Sequence, residues 1–272
     1  MRGAIYWARE LYALPMLHAT LSRVVAAVGR AHLRRQVADP ELRAKLTPDY
    51  LPGCKRILIS NDYLPSLSQP NVEVVTDGIA EIRERSIVTT DGVEREVDTI
   101  VLGTGFHVTD LPIAEHVRGR DGRSLAEVWD GSMQAHRGTT VAGFPNLFFV
   151  LGPNTGLGHT SVVLMSEWQS RYVARALDAM DACDAVATEP RQDAQDTWNA
   201  SVQSRMAGTV WTSGGCASWY IDRNGRNTTL WPDYTFRFRA EMRRFEAGEY
   251  HLIGATVPEP EPARVERVAV PA

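Results

Sequence analysis

Two short apolar runs end in glycine turns. Ile100-Val101-Leu102 runs into Gly103-Thr104-Gly105, and Leu147-Phe148-Phe149-Val150-Leu151 runs into Gly152-Pro153-Asn154. Consecutive apolar residues of this kind suit a strand buried on both faces. Open α/β sheets bind ligands beyond the carboxyl ends of such strands. Glycine at that point lets backbone N–H groups approach a phosphate or a ring closely. The loop Thr155-Gly156-Leu157-Gly158-His159 then leads into a helix N-terminus, which favours anionic or electron-rich groups. Tight sheet turns alone would use the same glycines, and spacing does not separate the two readings. A third candidate is Cys54-Lys55-Arg56, just ahead of a short apolar segment. Its adjacent cations could hold a phosphate and a second anion, or be a solvated basic pair. His107, His116, His136 and His159 lack metal-ligand spacing and read as surface or hydrogen-bonded residues; no metal site is expected. Only His159 sits on a glycine loop. No GxSxG, HExxH or Walker A pattern occurs. Trp211, Trp219 and Trp231 read by residue type as core.

These residues need elements to position them. Leu17, Leu21, Val24 and Val28 recur at helical spacing and form one apolar stripe, followed by Arg30, Arg34 and Arg35 where cations suit a helix C-terminus. Asp39-Pro40 reads as an N-cap and first turn, and Thr47-Pro48 as that helix's end. Strands are expected at 56–60, 71–76, 79–83, 86–90 and 93–97. Asp77-Gly78 is a turn signal and Asp91-Gly92 a hairpin. The runs at 99–103 and 146–151 read as buried strands. A long helix is expected over about 161–180, with Val162, Met165, Tyr172, Val173, Ala176, Leu177 and Met180 on its apolar face. Further helices are expected at 192–206 and 237–246, and an irregular segment at 214–219. Residues 257–272 hold four prolines and three glutamates and are expected to be a disordered tail.

The chain has 272 residues, 44% hydrophobic and 23% charged. That composition excludes disordered, collagen-like and coiled-coil classes. No apolar run approaches the ~20 residues that span a bilayer, and charge at Arg9 and Glu10 interrupts any signal-peptide-like stretch. Three widely spaced cysteines, Cys54, Cys183 and Cys216, read as reduced thiols in a cytoplasmic protein. The net charge of −4 gives no general case for nucleic acid. It is unevenly spread, because residues 1–56 carry ten Lys/Arg against four Asp/Glu.

Several ordered motifs carry a resemblance. They are Leu46-Thr-Pro-Asp-Tyr-Leu-Pro-Gly-Cys-Lys-Arg56, Asp62-Tyr63, Gln69-Pro-Asn-Val72, Asp98-Thr-Ile-Val-Leu-Gly-Thr-Gly-Phe106, Gly143-Phe-Pro-Asn-Leu-Phe148, Gly152-Pro-Asn-Thr-Gly-Leu-Gly-His159, Ser218-Trp219-Tyr220 and Arg226-Asn-Thr-Thr-Leu-Trp-Pro232. Together they resemble the flavin-dependent Baeyer–Villiger monooxygenases, in particular the hydroxyacetophenone-monooxygenase-like subgroup. The resemblance covers about residues 30–250. The family's two GxGxxG fingerprints and its FxGxxxHxxx(W/F) signature do not occur here, so the chain resembles the C-terminal half of such an enzyme.

The resemblance implies an α/β fold. It is part of a two-dinucleotide-binding-domain flavoprotein, with a helical N-terminal segment and an antiparallel hairpin region. It implies a helical insertion remnant at 1–53, the end of an NADP-binding domain at 54–98, and the C-terminal part of an FAD-binding domain at 99–256. It also implies FAD and NADPH as cofactors, with a small-molecule ketone and O2 as substrates. NADPH would reduce FAD, O2 would add as a C4a-peroxide, and that peroxide would convert a ketone to an ester or lactone. Arg56 matches the family's active-site arginine, and Lys55 the lysine that selects the 2′-phosphate of NADPH. Trp219 matches a tryptophan on the nicotinamide side. Gly103, Thr104, Gly105 and Phe106, with Gly152, Pro153, Asn154 and Thr155, match positions along the FAD. Sulfur or nitrogen oxygenation, and a non-catalytic module that needs a missing N-terminal half or an oligomer, stay open as alternatives.

Overall fold

The computed structural model describes residues 2–254, so the tail expected at 257–272 lies outside the described residues. The chain opens with helices α1 (Arg2–Leu11), α2 (Ala13–Leu17), α3 (Ala19–Gln36) and α4 (Pro40–Lys45). Asp39 caps α4, its side chain accepting from the Glu41 N–H at 2.9 Å, with Pro40 in the first turn as the sequence implied. The apolar stripe of α3 is turned the other way from expectation: Leu21, Val24 and Val28 are exposed, while Ser22, Ala26 and Leu33 are buried. A polar contact decides the facing. The Ser22 hydroxyl donates to the Pro15 carbonyl at 2.6 Å and lies 3.2 Å from that of Pro52. No single described helix is long and apolar enough to cross a membrane, although α1–α3 pass by length and composition as a pair bent by 106°.

A short helix α5 (Tyr63–Ser66) precedes an antiparallel sheet of β1 (Ile79–Ile82), β2 (Ser86–Thr89) and β3 (Glu94–Glu96), in the order β1-β2-β3. The Asp91-Gly92 turn forms as expected. Gly92 takes a φ of +82°, and Asp91 accepts from the Thr89 hydroxyl and the Val93 N–H. Helix α6 (Leu125–Trp129) starts with a reciprocal Ser124–Glu127 cap. Its Leu125 and Trp129 pack with Val141 and Phe144 in one small core.

The expected strands at 56–60, 71–76, 99–103 and 146–151 do not form. A strand exists only with a run of hydrogen-bonded neighbours, and among the described residues these segments make no ladder, Phe148 alone forming an isolated antiparallel bridge with Thr140. The apolar residues of 56–60 and 99–103 are left in solvent, Leu58, Ile59, Val101 and Leu102 being 85%, 89%, 88% and 76% exposed, whereas Leu147 and Phe149 pack against the core around Val141 and Phe144. Burial on both faces, which the runs of apolar residues imply, therefore needs sheet neighbours and covering layers from outside these residues.

The rest forms the body that carries the glycine loop. Helix α7 (Val162–Asp181) is capped by Ser161, α8 spans Gln192–Met206 as expected, and α9 (Val210–Ser213) is a single turn. The last helix, α10, covers Thr235–Glu241, shorter at its C-terminal end than the 237–246 span expected. On α7, Met165, Tyr172, Ala176 and Met180 are buried, but Val162 and Leu177 are exposed. Strands β4 (Ala185–Pro190) and β5 (Tyr250–Gly254) pair antiparallel, with Thr188 opposite Leu252. No local signal announced this pair, whose members are separated by three helices.

The main core joins α7, α8 and α10 to β5 through aromatic residues. Trp198 stacks on Trp231 at 5.9 Å, Trp231 meets Phe238 edge-on at 5.2 Å, and the Tyr172 and Tyr250 hydroxyls are 2.9 Å apart. Trp211 and Trp231 are core, as their type suggested, whereas Trp219 is 47% exposed. A third cluster ties the N-terminal helices to the body: Met16 and Cys54 pack against Met206, Val210, Trp211, Tyr220 and Leu230. Within it Cys54 and Cys216 form a disulfide. The expectation of three reduced thiols is corrected. The two cysteines are 162 residues apart in sequence, but their Cα atoms lie 6.2 Å apart. Cys183 is the free thiol.

Because Val101 and Leu102 are solvated here, the V101S/L102S double variant is expected to change the unfolding free energy of the isolated chain by no more than about 0.5 kcal/mol. Urea denaturation checks this; a loss of several kcal/mol would show that the segment is buried in solution.

Candidate functional site

The loop 152–159 is a built structure. Asn154 adopts the left-handed conformation at φ +57° and is 4% exposed. Its side-chain amide donates to the carbonyls of Asn227 at 2.8 Å and Leu230 at 3.0 Å, and its backbone N–H to that of Thr228 at 2.8 Å. Gly156 donates to Thr229 at 2.9 Å and accepts from Trp231 at 2.8 Å, a parallel bridge to the 227–231 segment. Thr155 closes the turn by donating its hydroxyl to Gly152 O at 2.6 Å. Two glycines permit the close packing here. A Cβ on Gly152 would stand 2.4 Å from Gly138 O, and one on Gly138 would stand 2.3 Å from the Thr155 methyl.

Gln169 on α7 holds the loop from beneath. Fully buried, it accepts from Leu151 N–H at 2.9 Å and donates to Gly138 O at 2.9 Å and the Thr139 hydroxyl at 3.1 Å. Sequence reasoning passed it over, although helical spacing from Met165 and Tyr172 places it on the inward face. Its polarity on that face was the available signal.

The Arg56 guanidinium donates to Leu157 O at 3.1 Å, while the residue itself stays exposed. Lys55 lies over the Tyr50 ring at 4.7 Å, also exposed. Tyr220 is buried, and that burial raises its phenol above the ordinary value, with the Arg56 charge opposing the shift. Trp219 rests against Tyr220 with ring centres 4.2 Å apart. The structure therefore brings Arg56 to the glycine loop at Leu157 and within electrostatic reach of Tyr220, the chain neighbour of Trp219, while Lys55 turns to Tyr50. Gly103, Thr104, Gly105 and Phe106 are not joined to the glycine loop. They make no hydrogen bond among the described residues, and Phe106 is 91% exposed.

His159 ends the loop buried, with both ring nitrogens lacking a hydrogen-bond partner. Burial pushes its pKa down to about 4, against the pull of Asp233. Its Nε2 lies 4.0 Å from a buried Glu10 carboxylate, which in turn accepts from the Thr235 N–H at 3.2 Å and from the Thr235 hydroxyl. His136, expected on the surface or hydrogen-bonded, is buried and bonded to Glu249 at 3.0 Å. Burial and neighbouring Arg137 push it down to about 4 despite that carboxylate. Arg137 itself bridges to Glu249 at 2.7 Å and donates to Glu241 O at 2.6 Å. Among the described residues no group of His, Cys, Asp and Glu is placed to hold a metal ion.

Both histidines take up a proton more readily when the chain is unfolded, so they erode stability as pH falls from about 6.5 toward 4. Each is expected to cost about 1 kcal/mol per pH unit across that window. Urea unfolding at pH 7, 6 and 5 measures it, and a flat profile would contradict the buried neutral state. Gln169→Leu strands the Leu151 and Gly138 backbone groups. It is expected to lower the unfolding free energy by about 3 kcal/mol in the same assay.

No protein-family model matches the chain. Individual relatives do. A Baeyer–Villiger monooxygenase of Streptomyces coelicolor is 49% identical over 266 residues, covering 97% of this chain and 50% of the relative. One of Pseudomonas aeruginosa is 46% identical over 253 residues, covering 92% of this chain and 48% of the relative. Among solved structures, cyclohexanone monooxygenase from Rhodococcus sp. Phi1, bound to NADP+, aligns with a TM-score of 0.72 at 29% identity. That alignment covers 89% of this chain and 46% of that one. The chain spans about half the length of the curated relatives it matches. With the glycine loop and the arginine beside it in place, the chain is similar over nearly its whole length to about half of these Baeyer–Villiger monooxygenases.

Proposed function

We propose that this chain is the C-terminal part of an FAD- and NADPH-dependent enzyme that inserts one oxygen atom of O2 beside a ketone carbonyl, giving an ester or lactone. The observation that carries the proposal is the Arg56–Leu157 hydrogen bond. It fixes a cation from the 54–56 segment on the loop that bears the glycine turn. We assign residues 1–53 to a helical insertion, 54–98 to the end of the NADP-binding domain and 99–256 to the FAD-binding domain. We place the protein in the cytoplasm.

The residues present fit one side of a flavin site. At Gly103 and Gly105 an added Cβ would meet no atom within 4 Å, so backbone there is open to a ligand. Ile100, Val101 and Leu102 wait for sheet partners that an N-terminal half would bring. FAD would lie along Gly103–Phe106 and Gly152–Thr155, and NADPH beside Lys55 and Trp219. When bound, these cofactors supply the hydride and the oxygen activation. What the chain's own residues supply is charge and position. Arg56 offers a fixed guanidinium to the negative charge that grows on a carbonyl oxygen under attack. Its hydrogen bond to Leu157 O removes rotamer freedom before the reaction begins. Lys55, a compact ammonium, suits a phosphate group. The buried wall of Leu157, Tyr220 and Leu230 excludes water from one side.

The test joins this chain to the N-terminal half of the Streptomyces coelicolor relative, fused or as a second polypeptide. The assembled protein is expected to retain flavin after desalting and to oxidise NADPH in a ketone-dependent way with ester formation. Arg56→Ala is expected to keep the flavin and lose about 10²–10³ in kcat. NADPH oxidation that yields only hydrogen peroxide, or an unimpaired Arg56→Ala variant, would overturn the proposal.

A further inference from the structure

We propose that Cys54 and Cys216 form a reversible thiol–disulfide pair which, when oxidised, clamps together the two segments carrying Lys55, Arg56 and Trp219. The functional meaning of the clamp rests on the site reading given above. Cys54 immediately precedes Lys55 and Arg56, and Cys216 lies three residues before Trp219. Each cysteine follows a glycine in the left-handed region, Gly53 at φ +91° and Gly215 at φ +82°, so both segments turn sharply to present sulfur to the other. Gly214 leaves the room the pair needs: a Cβ there would lie 2.9 Å from Cys54 Sγ and 3.0 Å from Cys54 Cβ.

Two backbone hydrogen bonds flank this contact. The Leu51 N–H donates to Gly214 O at 2.9 Å, and Gly214 N–H to Val210 O at 2.8 Å. Residues 215–217 make no hydrogen bond among the described residues, so the disulfide and the packing of Cys216 on the cluster around Trp211 are their ties to the body. The two sulfurs differ in access. Cys54 is 1% exposed, sealed by Met16, Val210, Trp211 and Tyr220, whereas Cys216 is half-buried on a loop whose neighbours Gly215 and Ala217 are exposed. Exchange with a small thiol or disulfide therefore enters at Cys216. In a reducing compartment disulfides are as a rule transient, which agrees with a pair that opens and closes.

The acceptor is a low-molecular-weight disulfide. The Cys216 thiolate attacks one of its sulfurs and expels one small thiol, leaving a mixed disulfide. The Cys54 thiolate then attacks Cys216 Sγ and expels the second small thiol. The protein loses two electrons and two protons, and the acceptor becomes two thiols. Reduction by excess small thiol runs the same steps backward. With the bond open, the 215–217 segment loses its covalent tie to Cys54, and the Arg56 side chain keeps its hydrogen bond to Leu157.

The experiment uses the whole 272-residue chain, equilibrated natively with oxidised or reduced glutathione, then denatured and alkylated. After oxidation neither Cys54 nor Cys216 is expected to be alkylated or to carry glutathione, whereas the exposed Cys183 does one or the other; after reduction all three are expected to be alkylated. Hydrogen–deuterium exchange at 50–56 and 214–220 is expected to be about tenfold faster in the reduced chain, with α7 unchanged. Cys216→Ser is expected to show the fast exchange in either buffer, and Cys183→Ser to behave as the parent chain. Three alkylated cysteines after oxidation, a bond that resists native reduction, or equal exchange in both states would each overturn the proposal. None of these readouts needs flavin or a ketone, so they fail or succeed independently of the monooxygenase reading.

Discussion

The side-chain amide of Asn154 is the interaction on which the site depends. One NH2 group satisfies two backbone carbonyls, at Asn227 and Leu230, from a residue held in the left-handed conformation. That fixes the exit of the glycine turn against a segment more than seventy residues further along. The parallel bridge at Gly156 follows, and Leu157 is then placed to accept from Arg56. Asn154 and its bonds to the Asn227 and Leu230 carbonyls are buried, so a missing partner there would be costly. The loop is rigid for the same reason that it is irregular: its polar groups are spent on fixed partners rather than on a ladder.

Beneath this loop the body is held by an aromatic core with charges threaded through it. Arg137 lies over Trp198 at 5.5 Å while paired with Glu249. Burial works against the Glu249 carboxylate, but Arg137 and His136 hold it below its ordinary value. Arg205 sits 4.6 Å from the Trp231 ring and pairs with Asp233. These contacts tie α8 to the loops at 137 and 231–233 and, through Arg137, to Glu249 just ahead of β5. A core of this kind serves specificity of arrangement more than net stability, since buried pairs repay their desolvation only in good geometry.

The other face of the molecule shows the opposite condition. Residues 56–60 and 99–106 have the composition of interior strands and the exposure of a surface. Parallel strands need neighbours on both edges and layers on both faces. About half the length of the relatives is absent from this chain. The exposed apolar segments and the motifs that do not occur in the sequence describe one absence from two directions.

Local chemistry sufficed to read several elements. The Asp39–Pro40 cap, the Asp91-Gly92 hairpin and the 192–206 helix depend on residues close in sequence, and they form where their spacing put them. The resemblance was legible too, because ordered motifs such as Gly152–His159 survive in the primary sequence whatever surrounds them. Only tertiary structure decided what depends on distant partners. It turned Ser22 rather than Val24 inward, because carbonyls at Pro15 and Pro52 needed a donor. It paired β4 with β5 across three helices, and brought Cys54 to Cys216, which no local spacing encodes. It put Gln169 under the loop, and left Gly103–Phe106 open. Sequence carries propensities that act over a few residues; whether a strand pairs, a thiol finds its mate or a face is buried is settled by which groups the rest of the chain places beside it.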